Sequence, residues 1–511
     1  MMSDIMKSSP LLVVFLIVFI DLVGFGIIIP LGPYYATEIG ATPTQVGVLM
    51  AIYSLMQFLF SPFWGRLSDK VGRRPILLMS LLGSSFSYLF FAFSTEFWML
   101  LTARAFAGFF GANISTAMAY VADVTDEKNR SKGMGMIGAA FGLGFIFGPA
   151  IGGLLSEVGM RLGEHPPFGM GFAALGASTI CFLNFLLATR VLKESLTEER
   201  KQKLQKRESR IVLIKRFLFQ KPQGTLILMS FISTFAFAHM ESTLALFVKD
   251  SWDWNFTKAS FAFAYVGIIS VFTQGFLIRR LMPKYGEPPL MFVGLSMTGL
   301  GMLGISLSTE VWMLGLAVTI MGLGTGLFNP SNLGGISLST APQEQGSALG
   351  VAQSFSALGR ILGPLSGGFI YGHFGMRYPF AVSALVLVAG FFILLRVRDI
   401  IPNSTKKKST SYSKIGEYQF KNLLSNPIQF LLLDLRAENN NPYFRKSQMV
   451  TLDNIKEVVS QGAPGKDQAI VVVCGDGKQS ISAAEMLSQE GYINVVVVEG
   501  GVNTLGSQKF L

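Results

Sequence analysis

The chain has 511 residues, 50% hydrophobic and only 14% charged, with a mean hydropathy of +0.48 and a formal net charge of +11. This balance excludes a soluble globule and identifies an integral membrane protein. The basic residues sit beside apolar runs instead of forming one patch, so they serve topology and contact with anionic lipid, not nucleic-acid binding. Two cysteines, Cys181 and Cys474, cannot make a disulfide framework, and with three scattered histidines they cannot hold a metal. No cofactor is expected.

In chain order, one lysine and a long apolar run without a small-residue cleavage site read as a first span, not a removed signal. Apolar runs lie near residues 11–31, 44–64, 75–94, 97–121, 133–155 and 168–189, each long enough to cross a bilayer as a helix. A charged stretch from Lys193 to Lys221 follows, in which Leu196 to Phe219 is predicted to be a surface helix strapping two halves together. Six further runs lie near 223–248, 257–281, 288–308, 311–338, 346–371 and 377–396. The prediction is an all-α polytopic membrane protein of twelve helices in two six-helix repeats, with a small α/β domain after it. Its segments are 1–192 and 223–400 for the halves, 193–222 for the central loop, 401–412 for a linker and 413–511 for the tail. With both termini cytosolic, only Arg161, Lys249, Lys258 and Arg377 fall outside, mixed with Glu157, Glu164, Asp250 and Asp253.

The halves look like copies. Gly148-Pro149-Ala150-Ile151-Gly152-Gly153 in the fifth span recurs as Gly363-Pro364-Leu365-Ser366-Gly367-Gly368 in the eleventh, and Gly108 has a counterpart in Gly322. Small residues let helices approach closely, which makes Gly148, Pro149, Gly152, Gly363, Pro364 and Gly367 packing positions. Parallel repeats of this kind enclose a cavity near the midplane between two rocking halves.

Four ionisable residues stand at membrane depth: Asp21, Arg104, Glu241 and Arg360. Such residues are costly and mark functional sites. At about 1.5 Å per residue, Asp21 lies roughly 15 Å up the first span and Arg104 roughly 10 Å from the outer end of the fourth. By the same arithmetic Glu241 and Arg360 lie about 10 and 16 Å from that end. Two acid–base pairs, one per half, are therefore expected, as proton carriers or as static salt bridges. Polar residues at helical spacing point to a cavity lining: Tyr53 and Gln57, Ser270 and Gln274, and Gln353 and Ser356 with Arg360. Interhelical hydrogen-bond glue is the competing reading. His239, two residues from Glu241, reads as a satisfied packing histidine.

Between the second and third spans stands Gly65-Arg66-Leu67-Ser68-Asp69-Lys70-Val71-Gly72-Arg73-Arg74. Its Gly65, Asp69, Gly72, Arg73 and Arg74 resemble the motif that major facilitator superfamily transporters carry between their second and third helices. Arg104-Ala105-Phe106-Ala107-Gly108 is similar to that family's fourth-helix motif, and the Gly-Pro-x-x-Gly-Gly segment to one of its proton-driven exporters. Phe19-Ile20-Asp21-Leu22-Val23-Gly24-Phe25-Gly26 with Ile29-Pro30 resembles the first helix of tetracycline/proton antiporters. That subfamily also places acids in the third and ninth helices. Here Leu81 to Phe93 and Leu290 to Leu307 have none, which speaks against tetracycline as the substrate.

The resemblance implies proton-coupled efflux of small amphipathic compounds across the cytoplasmic membrane, by alternating access and as a monomer. A facilitator or importer is the alternative. It also implies a cytosolic gate in which Asp69 meets Gln345 to Ser347 at a helix N-terminus, with Gly65 and Gly72 permitting tight turns.

After Arg396 the composition shifts to a Lys/Ser/Thr linker, then to strand-like runs at 429–436, 469–474 and 494–498 with a helix over 481–489. Cys474-Gly475-Asp476-Gly477-Lys478-Gln479-Ser480 resembles the active loop of rhodanese-like domains, and Gly500-Gly501 fits as well. The resemblance implies Cys474 as a nucleophile whose thiolate the helix N-terminus stabilises, reacting quickly with thiol reagents. Gln479 stands where that loop usually ends in a base, and the usual Gly-His-Ile-x-Gly-Ala segment is absent near Arg445 to Val450. A membrane-tethered sulfurtransferase and a regulatory module both stay open.

Overall fold

Within lipid no water can satisfy backbone N–H and C=O groups, so the apolar runs close their hydrogen bonds as helices. The computed structural model describes residues 10–125, 127–196, 210–341, 344–407, 412–416, 420, 430–435, 447–462, 465, 468–475, 478–490, 492 and 494–498. It divides into two units, Met1–Pro402 and Asn403–Leu511.

In the first unit the helices of one half are Pro10–Glu38, Pro43–Val71, Arg73–Ala92, Phe97–Phe110, Glu127–Leu162 and Gly171–Val191. The fourth of these continues through a 3₁₀ turn, Gly111–Asn113, into Ile114–Val124. Those of the other half are Gln223–Trp252, Phe256–Phe272, Glu287–Leu307, Val311–Leu338, Gln345–Phe374 and Tyr378–Leu395. The eighth passes through a π turn, Thr273–Leu277, into Ile278–Tyr285. Among the described residues, 11 helices are long and apolar enough to cross a membrane. The eleventh in order, Gln345–Phe374, is as long (30 residues) but more polar. Of the expected surface strap, Arg210–Leu218 is helical and 197–209 lie outside the described residues.

Many helices outrun their apolar stretches, because charged side chains do not stop a helix but a glycine with positive φ does. The second helix absorbs Gly65 to Val71, and the expected loop shrinks to Gly72, at φ +121°. Gly65 is therefore a helical residue and not a turn. At the other end, Gly40 (φ +80°) makes the turn, and Thr42 with Gln45 forms a capping box before Pro43.

The two glycine-proline repeats pack in the same way. Gly148 approaches Gly26 of the first helix so closely that an added Cβ would lie 2.6 Å from the Gly26 Cα, and Gly363 meets Ala238 of the seventh at 2.7 Å. The last glycine of each repeat instead faces the opposite half: Gly153 meets Ser260 and Thr257, and Gly368 meets Pro43 and Gly47. The halves also touch through Tyr34, whose hydroxyl donates to the Trp254 carbonyl at 2.7 Å, and through Lys249, which donates to the Thr37 hydroxyl at 2.9 Å. These contacts lie toward the Gly40 end of the bundle.

The second unit holds a parallel five-stranded sheet: β1 (Tyr412–Ile415), β2 (Leu431–Asp434), β3 (Ser447–Met449), β4 (Ile470–Val473) and β5 (Val495–Val498), in the order β1-β5-β4-β2-β3. Helices Ile455–Gly462 and Lys478–Gln489 accompany it, and Leu433, Val459, Val472, Leu487 and Val497 fill one core. β1, β3 and the helix at 455–462 were not expected from sequence. Arg436, Asp476, Gly477, Gly500, Gly501 and linker residues 408–411 lie outside the described residues.

Candidate functional site

Arg104, 2% exposed, is the most buried charge among the described residues of the first unit. Its guanidinium lies over the Tyr53 ring, 4.8 Å from the centroid, and its Nη2 points at Met50 Sδ, 3.9 Å away. Its Nε and Nη1 have no hydrogen-bond partner among the described residues. The acid that acts on it electrostatically is Glu241 of the other half, and Glu241 is under the combined influence of Arg360 and Arg104. Asp21 sits among neutral groups: the Cys181 thiol donates to it at 3.9 Å, and the Asn113 side chain lines the same small cavity. Of the two expected acid–base pairs, Glu241 and Arg360 act on each other, whereas among the described residues no ion pair joins Asp21 to Arg104. Arg104 belongs with Glu241 and Arg360 where the halves meet, and Asp21 stands apart. Counting residues from span ends fixes height only roughly and the azimuth of a side chain not at all, and both decide the partner: Asp21 lies level with Asn113, nine residues beyond Arg104.

The polar positions divide between lining and glue. Tyr53 packs at a tilt against Phe25, ring centroids 4.9 Å apart, beneath Arg104. Gln57 is spent inside its own half, its Nε2 donating to the Gly111 carbonyl at 2.9 Å. Ser356 donates to the Ser230 carbonyl at 3.5 Å. Gln353 is exposed, Ser270 is half-buried, and Gln274 is exposed within the π turn. His239 is fully buried and satisfied: Nε2 pairs with the Ser366 hydroxyl at 2.7 Å and Nδ1 with the Ser383 hydroxyl at 2.9 Å. Among the described residues no cluster of His, Cys, Asp and Glu could hold a metal.

At the opposite end from Gly40, the Gly65 to Arg74 segment forms a tight electrostatic knot. Arg73, 4% exposed, bonds Asp69 at 2.5 Å, the Ser68 hydroxyl at 2.7 Å and Asp123 at 3.2 Å. Gln345, expected near Asp69, donates to the Ser337 carbonyl at 3.1 Å. Arg74 is a staple to the sixth helix, donating to the Leu192 and Thr189 carbonyls, both at 2.7 Å. The Glu194 carboxylate caps the third helix by accepting the Arg73 and Arg74 N–H groups at 2.8 and 3.1 Å. A Cβ on Gly72 would lie 2.4 Å from Glu194 Oε2, whereas one on Gly65 would meet nothing nearer than Ser115 Oγ at 3.7 Å. Gly72→Ala is therefore expected to destabilise by about 1–3 kcal/mol, combining strain with loss of the cap. Gly65→Ala should leave the thermal midpoint in detergent unchanged, and the difference between the two checks the assignment.

In the tail, Cys474 follows β4, where helix Lys478–Gln489 begins. Its sulfur accepts the Ser480 N–H at 3.3 Å and lies 3.4 Å from the Ser480 hydroxyl. Gln479 is exposed, but Cys474 itself is only 1% exposed. That burial argues against the expected fast reaction with thiol reagents, since a buried thiol is shielded whatever stabilises its thiolate. Native protein should label at Cys474 with a water-soluble disulfide reagent about tenfold or more slowly than unfolded protein.

Sequence reasoning missed Asn113. Gly111 and Asn113, two weak helix formers within three residues of an apolar stretch, were the available signal.

Paired six-helix repeats around buried charges are the architecture of a secondary transporter. The chain belongs to the Major Facilitator Superfamily, whose profile matches residues 14–287 and 226–448, and a Rhodanese-like domain profile matches 418–507. It is 33% identical over 370 residues to the class H tetracycline resistance protein of Pasteurella multocida, covering 72% of this chain and 90% of that one. It is 31% identical to Multidrug resistance protein 1 of Bacillus subtilis (strain 168), covering 76% and 96%. Among solved structures, the human organic anion transporter MFSD10 (TETRAN) matches with a TM-score of 0.55 at 26% identity, covering 75% of this chain and 98% of that one.

Proposed function

We propose that this transporter is a proton-coupled exporter of small amphipathic organic compounds, working as a monomer by alternating access between its two halves. The observation that carries the reading is the set of mid-membrane carboxylates: Asp21 among neutral donors, and Glu241 facing Arg360 and Arg104 where the halves meet. A desolvated carboxylate that exchanges its proton as its neighbours move is a coupling device. The names of the relatives, tetracycline and multidrug resistance proteins, support export of drug-like compounds. The third helix, which lacks an acid throughout, favours a spectrum other than tetracycline alone.

In this reading the Arg73 end faces the cytosol, with both termini, as the distribution of bases favours. Contact between the halves toward the Gly40 end then supports a state closed outside and open inside. On closure of the inner side, Asp69 would leave Arg73 for the N-terminus of the eleventh helix at Gln345.

The test uses proteoliposomes with an imposed pH gradient, with tetracycline and ethidium as probes. Accumulation of a probe against its own gradient, collapsed by a protonophore, is the expected result. Flux that ignores the pH gradient overturns the coupling and leaves a facilitator.

For the tail, we infer a binding or regulatory module, supported by the buried Cys474 and by Gln479 in place of a base. Transfer of sulfur from thiosulfate to cyanide by the full chain, lost in Cys474→Ser, would overturn this.

A further inference from the structure

The fourth helix is broken at mid-membrane, and the break is built, not frayed. Its α-helical part ends at Phe110, and the 3₁₀ turn Gly111–Asn113 follows, with Ala112 at φ −70°, ψ +15°. Such a turn releases carbonyls from the i→i−4 ladder, and a bare carbonyl in lipid is costly. Each released group finds a side chain from a neighbouring helix. Trp64 Nε1 donates to the Phe109 carbonyl at 2.7 Å, Ser80 Oγ to Phe110 at 2.6 Å, and Gln57 Nε2 to Gly111 at 2.9 Å.

Asn113, 7% exposed, closes the break. Its Nδ2 donates to Ser80 Oγ, so it is tied to the same carbonyl network. The same side chain neighbours Asp21, with which it shares the wall of a small cavity. The other ionisable groups that face Asp21 are Cys181 of the sixth helix, Tyr53 of the second and Tyr88 of the third, and none of these is a cation. Beside the pair lies a cavity of about 20 Å³, lined by Asp21, Asn113 and apolar side chains such as Leu81, Ala117 and Ile137. That is room for about one water molecule.

We propose that Asn113 is a positioning residue that turns the proton on Asp21 into a movement of the fourth helix, and so of Arg104. This rests on the proton-coupled reading above. An ionised carboxylate only accepts, and it draws the Asn113 amide N–H toward the cavity the two share. When a proton from water forms an O–H bond on Asp21, that carboxyl becomes a donor, and the amide must turn its carbonyl toward it. Turning withdraws Nδ2 from Ser80 and frees the break to reseat. When the O–H bond breaks, the proton returns to water and the amide swings back. Arg104 lies nine residues above, about 13 Å along the same helix. Between them, Gly108 lies so close to the Tyr53 backbone that an added Cβ would stand 2.3 Å from its carbonyl oxygen. Tyr53 is also the ring beneath Arg104.

The experiment compares full-length wild type, Asn113→Ala and Ser80→Ala in proteoliposomes. Gradient-driven accumulation of ethidium is measured alongside its exchange without a gradient. Spin labels at Met118 below the break and Phe86 on the third helix, both exposed positions, report helix movement between pH 6 and pH 8. Asn113→Ala is expected to lose about tenfold to a hundredfold in accumulation, the size of a hydrogen bond to a charged group, with exchange kept within about twofold. Its pH-dependent change of label distance should vanish. Ser80→Ala, a milder cut in the same network, should lose several-fold. Accumulation and distance change like those of wild type in Asn113→Ala overturn the proposal. If that variant does not fold, undiminished accumulation in Ser80→Ala overturns it instead. A wild type that ignores the gradient sinks the antiporter reading, whereas a coupled wild type with an equally coupled Asn113→Ala sinks only the role of Asn113.

Discussion

Asp21→Asn is expected to reduce gradient-driven accumulation to the level of protein-free vesicles, while the bundle stays folded and substrate still exchanges down its gradient. The amide nearly matches the carboxylate in shape, so packing against Cys181 and the contact with Asn113 can persist. What it removes is titration, and an antiporter without a titrating carrier has nothing to tie substrate movement to the proton gradient. The measurement is accumulation and exchange in one vesicle preparation, with elution from a sizing column as the fold control. Accumulation that survives in Asp21→Asn but is lost in Glu241→Gln would move the coupling site to the interface between the halves.

Arg104→Met should separate stability from function in the opposite direction. A buried guanidinium with two nitrogens unpartnered among the described residues is a liability, and each unsatisfied group of this kind costs about 1–3 kcal/mol. Methionine keeps the length of the side chain and its contact with Tyr53 without the desolvated charge. The variant is expected to melt in detergent no lower than wild type, and as much as about 1–3 kcal/mol more stably. Transport should nevertheless be lost, because Glu241 then answers to Arg360 alone. Had Arg104 been the salt-bridge partner of Asp21, its removal would strand a carboxylate and destabilise by about 3–5 kcal/mol. A thermal-shift comparison discriminates the two arrangements directly.

The sequence announced its spans through hydrophobic length and its repeat through the recurring Gly148 and Gly363 segments. Those signals are local, and they were legible for that reason. What stayed hidden depends on rotation and neighbours. Gly153 and Gly368 read as small residues, but that they touch the opposite half follows only from how the helices are turned. Helix arithmetic puts Arg104 and Asp21 at one depth, but Asp21 lies beside Asn113, about 13 Å along the fourth helix from Arg104. Gly65 and Gly72 look equivalent in the motif, yet only Gly72 has a positive φ. In the tail, the valine runs of β4 and β5 are unmistakable, whereas β3 is a three-residue strand of Ser447, Gln448 and Met449 with no apolar alternation to reveal it.

The polar character of Gln345–Phe374 bears on how the chain is made. Translocation machinery sorts each segment by its own affinity for lipid, and an arginine at mid-helix costs about 2.5–3.5 kcal/mol on that scale. With Gln353, Ser356 and Arg360 on board, this helix is a poor candidate to enter the bilayer alone. It is retained by close contact: Gly359 and Gly363 seat it on Phe235 and Ala238 of the seventh helix, and Gly368 on Gly47 of the second. Biosynthetic integration of the last two helices is therefore expected to wait for earlier helices to fold around the nascent segment, so that the final crossings form by assembly and not by partitioning.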